Sequence, residues 1–97
     1  MAGAWWISIV GTSDRTLTER ETDDLTVALS GYGGTLVPGP ARIRVSFHLN
    51  RGRYAAHAAQ QGADLFRRLT TPFGLWDIVH LEVCTFDEYA RRPATAR

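Results

Sequence analysis

The chain has 97 residues, of which 44% are hydrophobic and 22% charged, and its formal net charge is +1. These values are typical of one small globular domain with a single core, and they exclude the strong overall charge that favours nucleic-acid or membrane binding. All the basic residues are arginine, and the only cysteine, Cys84, has no partner for an internal disulfide. We therefore expect a cytoplasmic protein that depends on its core and has neither a secretory signal nor a membrane span.

The first predicted element is a strand at residues 5–10. Its side chains alternate in character, so one face is expected to enter the core and the other to point away from it. The core set is Trp5, Ile7 and Ile9, and the outward set is Trp6, Ser8 and Val10.

A helix is predicted at about residues 18–30. Two overlapping capping boxes lie at its start, Thr16 with Glu19 and Thr18 with Glu21. A serine and Gly31 end it, and we expect this glycine to adopt the left-handed cap conformation. The stretch that follows is rich in glycine and proline, and it leaves room only for a short edge strand at residues 35–37.

The clearest element is a strand at residues 42–50. It places Ile43, Val45, Phe47 and Leu49 on one face and Arg42, Arg44, Ser46, His48 and Asn50 on the other. This alternation predicts one buried and one polar face. A shift of one residue would bury the whole polar set, so the register is strongly fixed.

A helix, a strand and a short helix are predicted for the second half of the chain. The helix, at residues 54–69, carries a stripe of small residues in its first half, so its backbone is expected to approach the sheet closely. The strand, at residues 76–85, is expected to turn Val79, Leu81 and Val83 toward the core and Ile78, His80, Glu82 and Cys84 outward. A capping box of Thr85 and Glu88 starts the short helix, which ends at Arg92.

The order strand, helix, strand, strand, helix, strand predicts one α+β domain over residues 1–92, followed by a flexible tail at residues 93–97. Right-handed crossovers arrange such a chain as a ferredoxin-like βαββαβ two-layer sandwich. It has a four-stranded antiparallel sheet, two helices on one face and a short C-terminal helical extension. No element remains to cover the other face. That open face would display Trp6, Ser8, Arg44, Ser46, His48, His80 and Glu82, together with the apolar Val10, Ile78 and Trp76.

Two segments resemble parts of small, uncharacterised actinobacterial and actinophage proteins. They are residues 39–47, GPARIRVSF, and residues 81–92, LEVCTFDEYARR. The resemblance extends over nearly the whole chain in layout, and the two segments look like a strand entry and a strand-to-helix exit. It implies a small domain of bacterial or phage origin and brings no catalytic residues with it.

The open face is expected to be a non-enzymatic interaction surface. Apolar, arginine and histidine side chains are mixed on it, and a patch of this kind marks an interface in other proteins. We therefore expect the protein to form a homodimer or to bind another protein through this face. No catalytic residue, cofactor or metal is predicted.

Two other functions stay open. His48, His80 and Glu82 share the predicted face, and two imidazoles with a carboxylate suit a small-ligand binder or a dimeric ferredoxin-like enzyme. A nucleic-acid binder would instead use Arg42, Arg44, Arg51 and Arg53.

A further anion site is predicted at Arg51 and Arg53, because an anion there would offset the unfavourable placement of arginine at a helix N-terminus. Cys84 is expected to be inert, since Glu82 on the same face would raise its pKa.

Overall fold

The computed structural model describes residues 4–92. In chain order its elements are β1 (Trp5–Thr12), α1 (Glu19–Ser30), β2 (Thr35–Gly39), β3 (Arg42–Leu49), α2 (Ala55–Thr70), a 3₁₀ turn (Thr71–Phe73), β4 (Asp77–Thr85) and α3 (Phe86–Arg91). The predicted α+β class is confirmed, and every predicted element is present within a few residues of its expected bounds. The predicted tail at residues 93–97 lies outside the described residues.

The four strands form one antiparallel sheet in the order β2-β3-β1-β4. The central strand β1 pairs with β3 on one side and with β4 on the other. Ile7 therefore lies opposite Phe47 and Val83, whereas Trp6 lies opposite His48 and Cys84. Because side chains alternate along each strand, this register decides which residues share a face.

One face of the sheet is covered by α1 and α2, and the core lies between them. The fully buried large side chains come from two strands and both helices. They are Ile7, Ile9 and Val10 of β1, Ile43, Val45 and Phe47 of β3, Leu25 and Leu29 of α1, and Phe66 of α2. All of these except Val10 belong to one continuous cluster. Burial of their apolar surface is the main term that stabilises the domain.

The first half of α2 approaches the sheet closely, as its small residues predict. Ala58 is 0% exposed. A Cβ atom placed on Gly62 would lie only 3.0 Å from Cγ2 of Ile7. Gly62 therefore fixes how near α2 lies to the central strand.

The variant Gly62→Val should destabilise the domain by about 1–3 kcal/mol, because its side chain would overpack against the fully buried Ile7. Ala56→Val is the matched control, since Ala56 is an exposed residue of the same helix. The free energy of unfolding from denaturant titration measures both. An equal loss of unfolding free energy in the two variants would contradict the close approach of α2 to β1.

The N-terminus of α1 uses one of its two predicted capping boxes. The hydroxyl of Thr18 accepts from the backbone N–H of Glu21, and the carboxylate of Glu21 accepts from the N–H of Thr18. The box predicted from Thr16 does not form, because the Thr16 hydroxyl instead accepts from the N–H of Ala41 at 2.9 Å. Ala41 has a φ of +54°, so this bond supports a strained residue in the β2–β3 hairpin.

The prediction that Gly31 ends α1 in a left-handed conformation is wrong. The φ of Gly31 is −64°, a right-handed value. The chain continues to Gly33, where φ reaches +63°, and the N–H of Gly34 donates back to the carbonyl of Leu29 at 2.9 Å. The left-handed residue thus lies two positions later than the sequence pattern predicts.

An arginine joins the start of α1 to the 3₁₀ turn that follows α2. Arg15 donates to both carboxylate oxygens of Glu21, at 2.8 and 2.5 Å, and to the carbonyl oxygen of Phe73 at 2.7 Å. The hydrogen bond from Arg15, followed by that from the backbone of Thr18, lowers the pKa of Glu21 to about 2.

This lowered pKa gives the stability contribution of Glu21 a defined pH dependence. A carboxylate with a depressed pKa in the folded state stabilises the fold above its ordinary pKa of about 4.5 and loses that effect as the pH falls toward about 2. Glu21→Gln should therefore lower the melting temperature at pH 7, and the difference from the unmodified protein should shrink as the pH falls through that interval. Asp64→Gln is the control at an exposed ion pair. A difference that is constant between pH 7 and 2.5 would contradict the assignment.

A bulge in the β1–β4 ladder changes which side chains of β4 face the core, so the predicted faces are wrong over part of this strand. The register shifts between Val10 and Gly11, so that Val10 lies opposite His80 but Gly11 lies opposite Ile78. Ile78, predicted to point outward, packs against the core. Val79, predicted to be in the core, is 54% exposed. The prediction is thus wrong at these two residues and holds from Leu81 onward, where Leu81 and Val83 pack against the core.

Candidate functional site

The outer face of the sheet is not fully open. The short helix α3 folds back over one end of it, beside Trp6 and His48. The prediction that no element covers this face is therefore wrong at that end.

Three contacts hold α3 on the sheet. The ring of Tyr89 stacks on Trp6 with a centroid distance of 4.1 Å and an interplanar angle of 22°. Phe86 meets His48 edge to face at 4.9 Å. Arg92, directly after the helix, forms an ion pair with Glu82 on β4. The predicted cap is also present, with the Thr85 hydroxyl accepting from the N–H of Glu88 at 3.1 Å.

The apolar patch predicted on this face is absent from the described structure. Val10 is only 2% exposed, although it lies on the outer side of β1. Trp76 is 8% exposed and belongs to the core, as does the partly buried Ile78. Trp6 lies beneath Tyr89. The patch was the main reason to expect an apolar docking surface, and without it the outer face is mainly polar.

A cleft of about 350 Å³ occupies the part of the outer face that α3 leaves uncovered. Its lining residues come from all four strands and from the α3 segment: Trp6, Ser8, Thr35, Val37, Arg44, Ser46, His80, Glu82, Tyr89 and Arg92. Six of the seven predicted open-face residues are among them, and the seventh, His48, is not. We call this cleft the outer cleft.

The floor of the outer cleft follows from the strand register. Ser8 on β1 lies between Ser46 on β3 and Glu82 on β4. The Ser46 hydroxyl donates to the Ser8 hydroxyl at 3.4 Å. Val10 lies between Arg44 and His80, which flank it on the neighbouring strands. The cleft thus has a narrow neutral floor with charged and polar side chains on both sides.

The charges in the outer cleft do not balance. Arg92 and Glu82 form an ion pair, and this contact with Glu82 raises the pKa of Arg92 further above its ordinary value. Arg44 is exposed, and within residues 4–92 no carboxylate lies within ion-pair distance of it. One guanidinium charge is left over in the cleft.

The grouping of His48, His80 and Glu82 does not form. His48 lies beside Trp6 on the β3 side, and His80 lies beside Val10 on the β4 side. They are two strands apart across the sheet and four residues apart along it. With the usual spacings of a β-sheet, the distance between the two residues is roughly 16 Å. His48 contacts Trp6 and Phe86 and does not line the cleft. The two imidazoles therefore cannot share one metal ion or one substrate atom.

The four arginines predicted for nucleic-acid binding lie in two places. Arg42 and Arg44 are exposed on the outer face of β3. Arg51 lines a separate depression near Tyr32 and Leu49, beyond the far end of the strand. The backbone between Arg51 and Arg53 is fixed by Gly52, whose carbonyl accepts from the indole N–H of Trp5 at 3.0 Å. The anion site predicted at Arg51 and Arg53 remains a prediction.

Other candidate chemistry is limited to single groups. Burial raises the pKa of the Cys84 thiol, Arg92 opposes this shift and Glu82 adds to it, so the thiolate form is disfavoured. Among residues 4–92, no three His, Cys, Asp or Glu side chains converge where a metal ion would fit. In the same range no helix is both long and apolar enough to cross a membrane.

Sequence reasoning missed the contribution of α3 to this site. Tyr89 and Arg92 form part of the cleft wall. The available signal was a short capped helix that carries two aromatic residues directly after the strand whose outer face it covers. Thr35 and Val37, from the edge strand β2, were also missed.

Comparison of the chain with models of protein families, with curated proteins and with solved structures finds no match in any of the three. The function must therefore be argued from the geometry of the outer cleft.

Replacing Tyr89 by alanine should release α3 from the sheet, because the stack of Tyr89 on Trp6 joins this helix to β1. The cost should be about 0.5–1.5 kcal/mol of local stability, the usual value of an aromatic pair. Hydrogen exchange should then accelerate in residues 86–91 and the indole N–H resonance of Trp6 should move. Arg91→Ala is the control, since Arg91 makes only a surface pair with Glu88. Unchanged exchange in the Tyr89 variant would contradict the docked position of α3.

Proposed function

We propose that this protein is a small-molecule binding domain that takes an organic anion, a carboxylate or a phosphate ester, into the outer cleft. The observation that carries the proposal is the guanidinium of Arg44, which has no carboxylate within ion-pair distance among residues 4–92. It lies in a cleft whose other two charged side chains pair with each other. An anionic ligand would supply the missing negative charge.

Arginine is the residue best suited to this role. Its planar guanidinium binds a carboxylate or a phosphate through two parallel hydrogen bonds. The hydroxyl groups of Ser8 and Ser46 lie on the cleft floor and offer further hydrogen bonds. The ring of Tyr89 gives the opposite wall an apolar surface for the body of the ligand.

The size of the cleft limits the ligand. About 350 Å³ lies near the lower end of the range for small-molecule sites. The cleft therefore suits a single small acid or one acidic group of a larger molecule.

The decisive experiment compares two arginines on one strand. Arg44→Met removes the proposed recognition group, whereas Arg42→Met removes an exposed arginine on the same face of β3 that does not line the cleft. Binding of an anion followed by amide chemical shifts should weaken about tenfold or more in the first variant, as expected for loss of a charged hydrogen bond. It should change little in the second.

Two probes distinguish the acid classes, namely benzoate and phenyl phosphate. Either should shift the amides around Ser8, Ser46 and Arg44 in the unmodified protein. An absence of shifts with both probes at millimolar concentration would contradict the proposal, as would equal effects of the two arginine variants. A short single-stranded oligonucleotide whose binding is weakened by both variants would favour the nucleic-acid alternative.

For the fold, we propose the ferredoxin-like layout. It is supported by the strand order β2-β3-β1-β4 and by the packing of α1 and α2 on one face of the sheet. For the protein's location we propose the cytoplasm, in keeping with its single free thiol.

Docking of a protein to the outer face remains a weaker alternative. It is supported by the exposed edge of Phe86, which is 40% exposed on α3.

A further inference from the structure

The outer edge of β4 is unprotected. β4 lies at one end of the sheet order, and no described strand pairs with its outer side. It is nine residues long and contains neither proline nor glycine. The opposite edge, β2, has only five residues and includes Pro38 and Gly39. A long edge strand without such interruptions offers its free N–H and C=O groups for pairing with another strand.

The core is also incomplete along this edge. Leu81 and Val83 face the core but are only partly buried, whereas Ile9 and Phe47 on the inner strands are 0% exposed. Val79 beside them is 54% exposed. A further strand along β4 would cover these side chains, so the edge has an apolar as well as a hydrogen-bonding reason to be paired.

The polar side chains along β4 favour its own sequence as the partner. When two copies of one strand pair antiparallel, residues of the same face must lie opposite each other, so the two-fold axis passes through a single residue. An axis through Leu81 places His80 of each copy opposite Glu82 of the other. An axis one residue further along places two Glu82 carboxylates opposite each other, which is unfavourable.

The remaining registers are poorer. An axis through His80 brings the bulge at Val79 into the centre of the ladder, where it interrupts pairing. An axis through Val83 places Glu82 opposite Cys84, without charge complementarity. Only the Leu81 register places an imidazole N–H opposite a carboxylate within a regular central stretch.

We propose that a second copy of this chain pairs with it through the β4 edge, antiparallel and centred on Leu81, to form one sheet that continues across both copies. The regular part of the ladder comprises His80, Leu81 and Glu82 of each copy, and it ends where the bulge at Val79 begins. This contact uses the edge of the sheet and leaves the outer face free. His80 and Glu82 line the outer cleft as well as the edge, so the clefts of the two copies would meet at the two-fold axis.

The short ladder implies a weak dimer, because its contact area is well below that of a standard protein interface. We expect a dissociation constant on the order of 100 µM. Sedimentation equilibrium of the unmodified protein should show a monomer–dimer equilibrium between about 10 µM and 1 mM. The outward amides of residues 79–83 should become more protected from hydrogen exchange as the concentration rises.

Substitutions of His80 test the register. His80→Glu places two carboxylates opposite each other and should weaken the dimer by roughly tenfold or more. His80→Arg keeps a donor opposite Glu82, leaves the ion pair of Glu82 with Arg92 in place and should retain the dimer. His57→Glu, on α2 and away from the edge, is the matched control and should leave the dimer intact. Circular dichroism confirms that each variant is folded.

The outcomes separate clearly. A protein that is monomeric at 1 mM with unprotected outer amides of β4 overturns the proposal. A dimer that His80→Glu leaves unchanged, or that His80→Arg abolishes, overturns the Leu81 register. None of these results depends on anion binding, which the Arg44 and Arg42 variants test separately.

Discussion

The pairing of β1 on both of its sides is the constraint on which the rest of the structure depends. This strand joins β3 to β4, so its alternation sets the inner and outer faces of the whole sheet. Ile7 and Ile9 are fully buried on one side, while Trp6 and Ser8 line the outer cleft on the other. A shift of β1 by one residue would exchange core and cleft, and α2 opposes such a shift because Gly62 lies against Ile7.

The features that the sequence predicts correctly are those with a local cause. The alternation of β3 places Arg44 and Ser46 on the outer face without knowledge of any partner strand. The cap at Thr18 depends on a residue three positions away, and it forms as predicted. The close approach of α2 follows from small residues at helical spacing. In each case the residues that cause the feature are near neighbours in the sequence, within about one helical turn or a few residues of a strand.

The features that the sequence does not predict depend on contacts between distant parts of the chain. The bulge opposite Gly11 is one example, because a Cβ atom at that glycine would lie 2.6 Å from Cζ of Phe66. Only the packed helix makes this position special, and the bulge then turns Ile78 inward and Val79 outward. The adjacent Ile78 and Val79 were the visible sign that simple alternation fails there.

The position of α3 is the second example, and it changes the interpretation of the whole outer face. Its start is encoded locally by the Thr85 cap. Its docking depends on Trp6, nearly eighty residues earlier in the chain, and no local pattern relates the two. A face expected to be open and partly apolar is instead a polar cleft with one aromatic wall.

The docking of α3 also determines the charge of the cleft. With Arg92 held against Glu82, the negative charge of that carboxylate is neutralised and Arg44 is the unpaired group. Without α3, Glu82 and Arg44 would line the same face with equal and opposite charges, and the cleft would have no net attraction for an anion. The helix therefore does more than cover part of the sheet, since Arg92, which directly follows it, gives the outer cleft the net positive charge on which the proposed ligand class depends.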